Sequence, residues 1–284
     1  MDIAFPPGGI ENIAFSGGGI ENIAFSGGGI GGIAYIGVLR YLEEKKIIQQ
    51  IRQYSGCSIG AIFATLISLG YSSEELKCLM ENFRYKTVLD IQLLGLLENM
   101  GIETGKRLLL FLGKLINRKI GRPDLTFEEH WQITGRRLFL NASCVETDTV
   151  EYFSAIHSPK MSVLKAIQMS IAIPPIIAAV KYNKKTYVDG GIHVSLPITL
   201  FEPSRTLGFQ LENEAMTIEN MHPFILHMYR IILSLYRRVN YQTYGSEYKV
   251  IHIKTGTSTL KINLSKEERI YTIQRGYESC KETF

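Results

Sequence analysis

Ser58 stands in Gly56-Cys57-Ser58-Ile59-Gly60, a Gly-x-Ser-x-Gly stretch of the kind that makes a sharp turn from a strand into a helix. Flanking glycines relieve crowding in such a turn, so the serine oxygen projects into open space as a nucleophile. Acyl transfer needs two further parts: a base that takes the serine proton, and donors for the oxyanion that then forms. Asp189, at a strand end and followed by Gly190 and Gly191, is the candidate base. Gly27, Gly28 and Gly29, with Gly32 closing the run, offer backbone N–H groups at a helix start. The positive end of that helix favours a developing negative charge, so the three sites are chemically complementary.

Two other readings of these residues are weaker. Gly27, Gly29 and Gly32 also satisfy Gly-x-Gly-x-x-Gly, the dinucleotide-binding pattern, which calls for an acidic residue about 20 positions on at the end of the second strand. That strand ends near Ser55, the nearest acids, Glu43 and Glu44, fall on the helix, and no Walker lysine follows. A histidine would complete a triad, and His193, four residues after Asp189, is the one with a motif beside it. His130, His157, His222, His227 and His252 have no such context. The expectation is a dyad of Ser58 and Asp189 without histidine.

The elements that must position these groups read as alternating strands and helices, the pattern of an α/β layer structure. Residues 1–30 carry ENIAFSGGGI twice in perfect tandem, behind a degenerate copy, MDIAFPPGGI. Only the last copy runs on into apolar residues at helical spacing, from Gly32 to Lys45, which places the working strand and turn in Asn22 to Gly32. Gly17 to Gly19 offer an alternative register for the same turn. Residues 1–19 are therefore expected to be a loosely attached extension of a domain formed by residues 20–284. Ile51 to Ser55 reads as a short buried strand, Ala61 to Gly70 as an apolar helix, and Ser72 to Glu75 as the capped start of another. Leu93 to Lys119 reads as amphipathic helix interrupted near Gly101 to Gly105. Arg137 to Cys144, Val150 to Ser154, Thr186 to Val188 and Val250 to Lys254 read as strands. Val163 to Ile171 is a helix stopped by Pro174-Pro175, and Ser265 to Tyr277 a polar terminal helix. Phe224 to Val239 is an apolar helix ending in Arg237-Arg238, suited to the core or to a membrane interface.

Taken together, these residues resemble the patatin-like phospholipase family. The likeness rests on Gly27 to Gly32, Gly56 to Gly60 and Asp189 to Gly191, in that order and spacing. It is supported by Gly32 to Leu39, by Leu69-Gly70-Tyr71-Ser72, and by Ala166 to Pro174 with Ser170, and it spans about residues 20 to 200. The resemblance implies a three-layer α/β/α fold around a mainly parallel sheet. It also implies a dyad of Ser58 and Asp189, an oxyanion hole in the glycine loop, no metal or other cofactor, and hydrolysis of lipid acyl esters. Two positions depart from the family pattern. Gly31 stands where Arg or Lys is usual, which removes a charge and loosens the loop, and Ser195 precedes Leu196-Pro197 where asparagine is frequent before the proline. Gly31 favours an alternative, a weakly catalytic protein that binds lipid or a partner. On that reading a basic residue restored at position 31 raises activity.

Composition sets the outer bounds. A chain of 284 residues with 45% hydrophobic and 20% charged residues can bury a sizeable core. The net charge of +4 suits contact with an anionic lipid surface but is far from the concentrated basic field of a nucleic-acid binder. Cys57, Cys78, Cys144 and Cys280 form no C-x-x-C, so neither a zinc site nor a disulfide framework is indicated, and a reducing compartment fits. No apolar run reaches the roughly 18 residues of a spanning helix, and the first residues do not form a secretory signal. The expected partner is membrane phospholipid or another acyl lipid, met from the cytoplasm at the membrane surface.

Overall fold

Short buried strands alternating with apolar helices settle into one eight-stranded sheet in the computed structural model, which describes residues 19–81, 83, 101, 103–214, 227, 231, 234, 244–258 and 264–284. The strands are β1 (Asn22–Phe25), β2 (Gln53–Gly56), β3 (Arg137–Cys144), β4 (Thr149–Phe153), β5 (Val180–Tyr182), β6 (Lys185–Asp189), β7 (Thr206–Glu214) and β8 (Lys249–Ser258). Their spatial order is β5-β6-β3-β2-β1-β7-β8, with β4 attached to β3. The run from β3 to β8 is wholly parallel. The limb of β4, β5 and β6 pairs antiparallel, because turns such as residues 145–148 are too short for a crossover.

The helices are α1 (Ala34–Glu44), α2 (Ile59–Ser68), α3 (Ser73–Glu81), α4 (Lys106–Ile120), α5 (Phe127–Thr134), α6 (Val163–Ser170) and α7 (Lys266–Thr283). Their starts are set by side chains that satisfy the first free N–H groups. Thr126 with Glu129 and Ser265 with Glu268 form capping boxes, and Ser72 and Glu75 exchange the same pair of bonds ahead of α3. Helix α7 crosses α1 closely, since a Cβ on Gly37 or Gly276 would fall on the carbonyl of Ile273 or of Ala34.

β1 lies at the centre of the parallel run and is buried on both faces. Ile23 and Phe25 join the large core beneath α1 and α2, while Ala24 faces a second cluster with Leu196 and Ile198. The second face is covered by residues 194–201, held down by the Ser55 hydroxyl, which donates to the Pro197 carbonyl at 2.8 Å. The sheet thus has layers on both faces, as the sequence implies.

β1 falls in the last copy of the repeat; residues 1–18, including the first copies and most of the expected extension, lie outside the described residues. So do residues 93–100 of the expected helix before α4, and all of the expected helix at 224–239 except residues 227, 231 and 234. Among the described residues three elements go beyond the expectation: β5, α5 and β7. β7 is hard to foresee because Gly208 interrupts its apolar pattern, yet a side chain there would strike Ile198 Cδ1 at 2.6 Å. Among the described residues no helix is long and apolar enough to cross a membrane.

Candidate active site

Ser58 sits between β2 and α2 at φ 55° and ψ −123°, a conformation that side chains rarely adopt and that persists only where the surroundings enforce it. The enforcement is visible. Gly56 and Gly60 lie so close that a Cβ on either would fall on backbone, on Gly60 in one case and on the carbonyls of Phe25 and Ser26 in the other. Gly60 N–H closes the turn onto the Cys57 carbonyl at 2.8 Å, and Ser58 N–H donates to Ser170 Oγ at 2.8 Å. Ser170 ends α6, so that helix anchors the turn from a second direction. The residue is 7% exposed, at the edge between buried and open.

Asp189 ends β6, opposite Ala142 of β3, while Gly56 of β2 lies opposite Leu140 of the same strand. One intervening strand therefore holds the two turns at nearly the same level. Asp189 is fully buried. Its Oδ1 accepts from Gly191 N–H at 2.8 Å and from the Cys57 thiol at 3.6 Å, and its own N–H donates to the Ala172 carbonyl at 2.6 Å. Burial, and the nearby Asp189 charge, push the Cys57 thiol well above its ordinary range, which keeps it a neutral donor. Gly190 leaves room for Asn141, whose Nδ2 would lie 2.6 Å from a Cβ there. Asn141 in turn donates to the Val194 carbonyl at 2.8 Å.

The glycine loop follows β1. Gly27 packs on the serine, since a Cβ on it would stand 3.3 Å from Ser58 Cβ. Its N–H, expected to serve the oxyanion beside those of Gly28 and Gly29, donates to the Ser195 carbonyl at 3.0 Å. Gly28 has φ 157°, and Leu211 Cδ1 would lie 2.7 Å from any Cβ there. Gly29 opens the short 3-10 turn Gly29–Ile33 that leads into α1, and Gly32 within it gives room to Ile59, the residue after Ser58.

Gly31 does not loosen this loop. A Cβ at Gly31 would fall on Asn213 Oδ1 and lie 3.0 Å from Thr255 Cγ2, so the room freed by the missing side chain is filled from β7 and β8. Asn213 Nδ2 donates to the Gly28 carbonyl at 2.9 Å. Neither Asn213 nor Thr255 belongs to a sequence motif. Their signal lies in the β7 and β8 register alone.

The hydrogen bonds of the described histidines go to groups other than Ser58. His193 shares hydrogen bonds with Ser143 Oγ at 2.8 Å and Asp148 Oδ1 at 3.3 Å. His130 meets Ser68, His157 meets Ser154, and His252 meets Glu212; His227 is exposed, and His222 lies outside the described residues. Among the described residues no group of three or more His, Cys, Asp or Glu side chains is placed to hold a metal ion.

The architecture is that of an α/β protein whose three glycine-rich turns, each after its own strand, converge on one place. The family model described as patatin-like phospholipase matches residues 23–201, and the chain belongs to this family. It is 28% identical to an uncharacterized protein of Acanthamoeba polyphaga mimivirus over 87% of this chain and 88% of that one. It is also 28% identical to "Probable lipid hydrolase 463L" of Invertebrate iridescent virus 6, over 58% of this chain and 57% of the relative. Among solved structures, VipD from Legionella pneumophila superposes with a TM-score of 0.65 at 17% identity, covering 93% of this chain. ExoU from Pseudomonas aeruginosa, in complex with SpcU, superposes with a TM-score of 0.54 at 18% identity. The chain spans 66% of the VipD chain and 52% of the ExoU chain, and at these identities the likeness is one of fold.

Proposed function

We propose that this chain is a lipid acyl hydrolase of phospholipase A type, working through Ser58 and Asp189. The observation that carries the reading is Ser58 itself: a nucleophile type held at φ 55° in a turn that packs on Gly27 and is tied through Cys57 to Asp189. Membership of the patatin-like phospholipase family and the relative named as a lipid hydrolase point to a lipid ester as substrate.

In this mechanism Asp189 takes the hydroxyl proton as Ser58 Oγ attacks the acyl carbonyl. The carbonyl oxygen becomes an oxyanion that accepts from the N–H groups of Gly28 and Gly29. Collapse expels the alcohol, which leaves with the proton from Asp189 and deposits the acyl group on Ser58. Water, deprotonated by Asp189, then attacks the acyl-enzyme and releases the fatty acid, with the proton returning to Ser58. No step calls on a cofactor. The substrate is met at a membrane surface, which the net charge of +4 suits where the lipid is anionic.

The test is a panel of phospholipids and neutral glycerides assayed by mass spectrometry for released fatty acid, together with fluorophosphonate labelling. Ser58→Ala and Asp189→Asn are expected to lower hydrolysis by roughly 1000-fold or more, with labelling lost in Ser58→Ala. Equal rates for parent and both variants would overturn the dyad. A parent that binds lipid vesicles but neither hydrolyses nor labels would replace it with a lipid-binding role.

A further inference from the structure

We infer that Asn213, oriented by Thr255, is a positioning residue that holds the peptide between Gly28 and Gly29 with its N–H turned toward the oxyanion site. The inference rests on the hydrolase reading above and adds a component to it. A trans peptide points its C=O and N–H in opposite directions, so whatever fixes the Gly28 carbonyl also fixes the Gly29 N–H. Asn213 Nδ2 donates to that carbonyl at 2.9 Å from the side of the loop occupied by β7 and β8. A glycine pair has little conformational preference of its own, and Gly28 and Gly29 adopt φ 157° and 55°. Without an external partner for the carbonyl, this peptide is free to turn over and present oxygen where the oxyanion needs a donor.

The amide of Asn213 has two faces, and only one donates. Thr255 selects it: its hydroxyl donates to Asn213 Oδ1 at 2.9 Å, which leaves Nδ2 for Gly28. Thr255 is fully buried and is itself fixed by Thr257, whose hydroxyl and N–H donate to Thr255 Oγ1 at 3.1 and 3.2 Å. The chain of donors therefore runs from Thr257 through Thr255 and Asn213 to Gly28, in one direction. An irregularity in the strand pairing brings these groups together. Glu212 lies opposite Lys254, but Glu214 lies opposite Ser258, so β8 uses four residues where β7 uses two, with Gly256 at φ 66° inside the bulge. Bulges of this kind re-aim side chains beside functional sites. Gly31 completes the arrangement, because any side chain there would displace Asn213 Oδ1.

The test compares the parent, Ser58→Ala, Asn213→Asp and Thr255→Val on a soluble acyl ester and on phospholipid vesicles, measuring kcat and KM separately. Asn213→Asp keeps the size and the acceptor but replaces the donor with a carboxylate oxygen facing the Gly28 carbonyl. Loss of one oxyanion donor costs about 100- to 1000-fold, so a misplaced one is expected to lower kcat by about 10- to 100-fold with KM changed less than about twofold. Thr255→Val, which releases the amide to turn over, is expected to lower kcat by a smaller factor in the same manner. Fluorophosphonate labelling should slow in parallel, because phosphonylation also builds negative charge in the oxyanion site.

If the parent is no faster than Ser58→Ala, the hydrolase reading fails. If the parent is active and folded Asn213→Asp keeps its kcat, the positioning role fails while the hydrolase reading stands. A loss confined to KM overturns it equally. Should Asn213→Asp fail to fold, folded Thr255→Val decides: a lowered kcat at constant KM supports the inference, and an unchanged kcat overturns it.

Discussion

The thiol of Cys57 donates to Oδ1 of Asp189 at 3.6 Å, so the residue next to the candidate nucleophile holds the candidate base. The contact spans 132 positions and passes from the turn after β2, across β3, to the end of β6. Oδ1 of the fully buried Asp189 accepts from this thiol and from Gly191 N–H. Loss of a donor at such a group destabilises its charged form and misaligns it.

Cys57→Ala is therefore expected to lower kcat for ester hydrolysis by about 3- to 10-fold, the equivalent of one modest hydrogen bond. Labelling at Ser58 should persist, because the turn keeps its glycines. The native protein should also resist thiol reagents at Cys57, Cys144 and Cys280, which are buried, while Cys78 is exposed. Kinetics with the variant and a native thiol titration check both points. An unchanged kcat would show that the carboxylate is held in place without the thiol.

His130 sets an acid limit on stability. It is fully buried beside Ser68, and burial pulls its pKa down from 6.5 to about 4. The unfolded chain therefore binds a proton that the folded chain refuses, and this contribution is complete above pH 6.5 and lost as the pH falls toward 4. The loss is on the order of 3 kcal/mol across that window. Denaturant midpoints measured between pH 7 and 4.5 should fall for the parent and fall less steeply for His130→Gln, which keeps a polar partner for Ser68 but takes up no proton. Parallel pH profiles for the two would remove His130 from this role.

Local sequence was informative wherever one element specifies itself. Arg137–Cys144 reads as a strand from its own apolar pattern and forms one over the same residues. Ser72 and Glu75 announce a helix start that needs no distant partner. The Gly-x-Ser-x-Gly turn belongs to this class, since its glycines and serine lie within five residues. Asn213 and Thr255 are of another kind. They are 42 positions apart, in strands whose pairing contains a bulge, and neither residue type marks a motif. The meaning of Gly31 was hidden for the same reason: a glycine in a loop reads as slack until the side chain that fills its space is seen.

That last point reverses the expected effect of a substitution. A basic residue at position 31 would restore the usual family pattern, and from sequence alone it promises higher activity. In the structure Gly31 is buried, a Cβ there would clash with Asn213 Oδ1, and Thr255 Cγ2 would lie 3.0 Å from it. Overpacking of this kind costs about 1–3 kcal/mol even before the charge of arginine is considered. Gly31→Arg is thus expected to push Asn213 off the Gly28 carbonyl, lower kcat by at least about 10-fold, and reduce Tm by several degrees. Gly31→Ala should do the same to a smaller extent. Parallel thermal melts and ester kinetics on both variants check this ordering. Gly31→Arg with activity above the parent would mean that the loop has room for an alternative brace, and that Asn213 is dispensable once a cation takes its place.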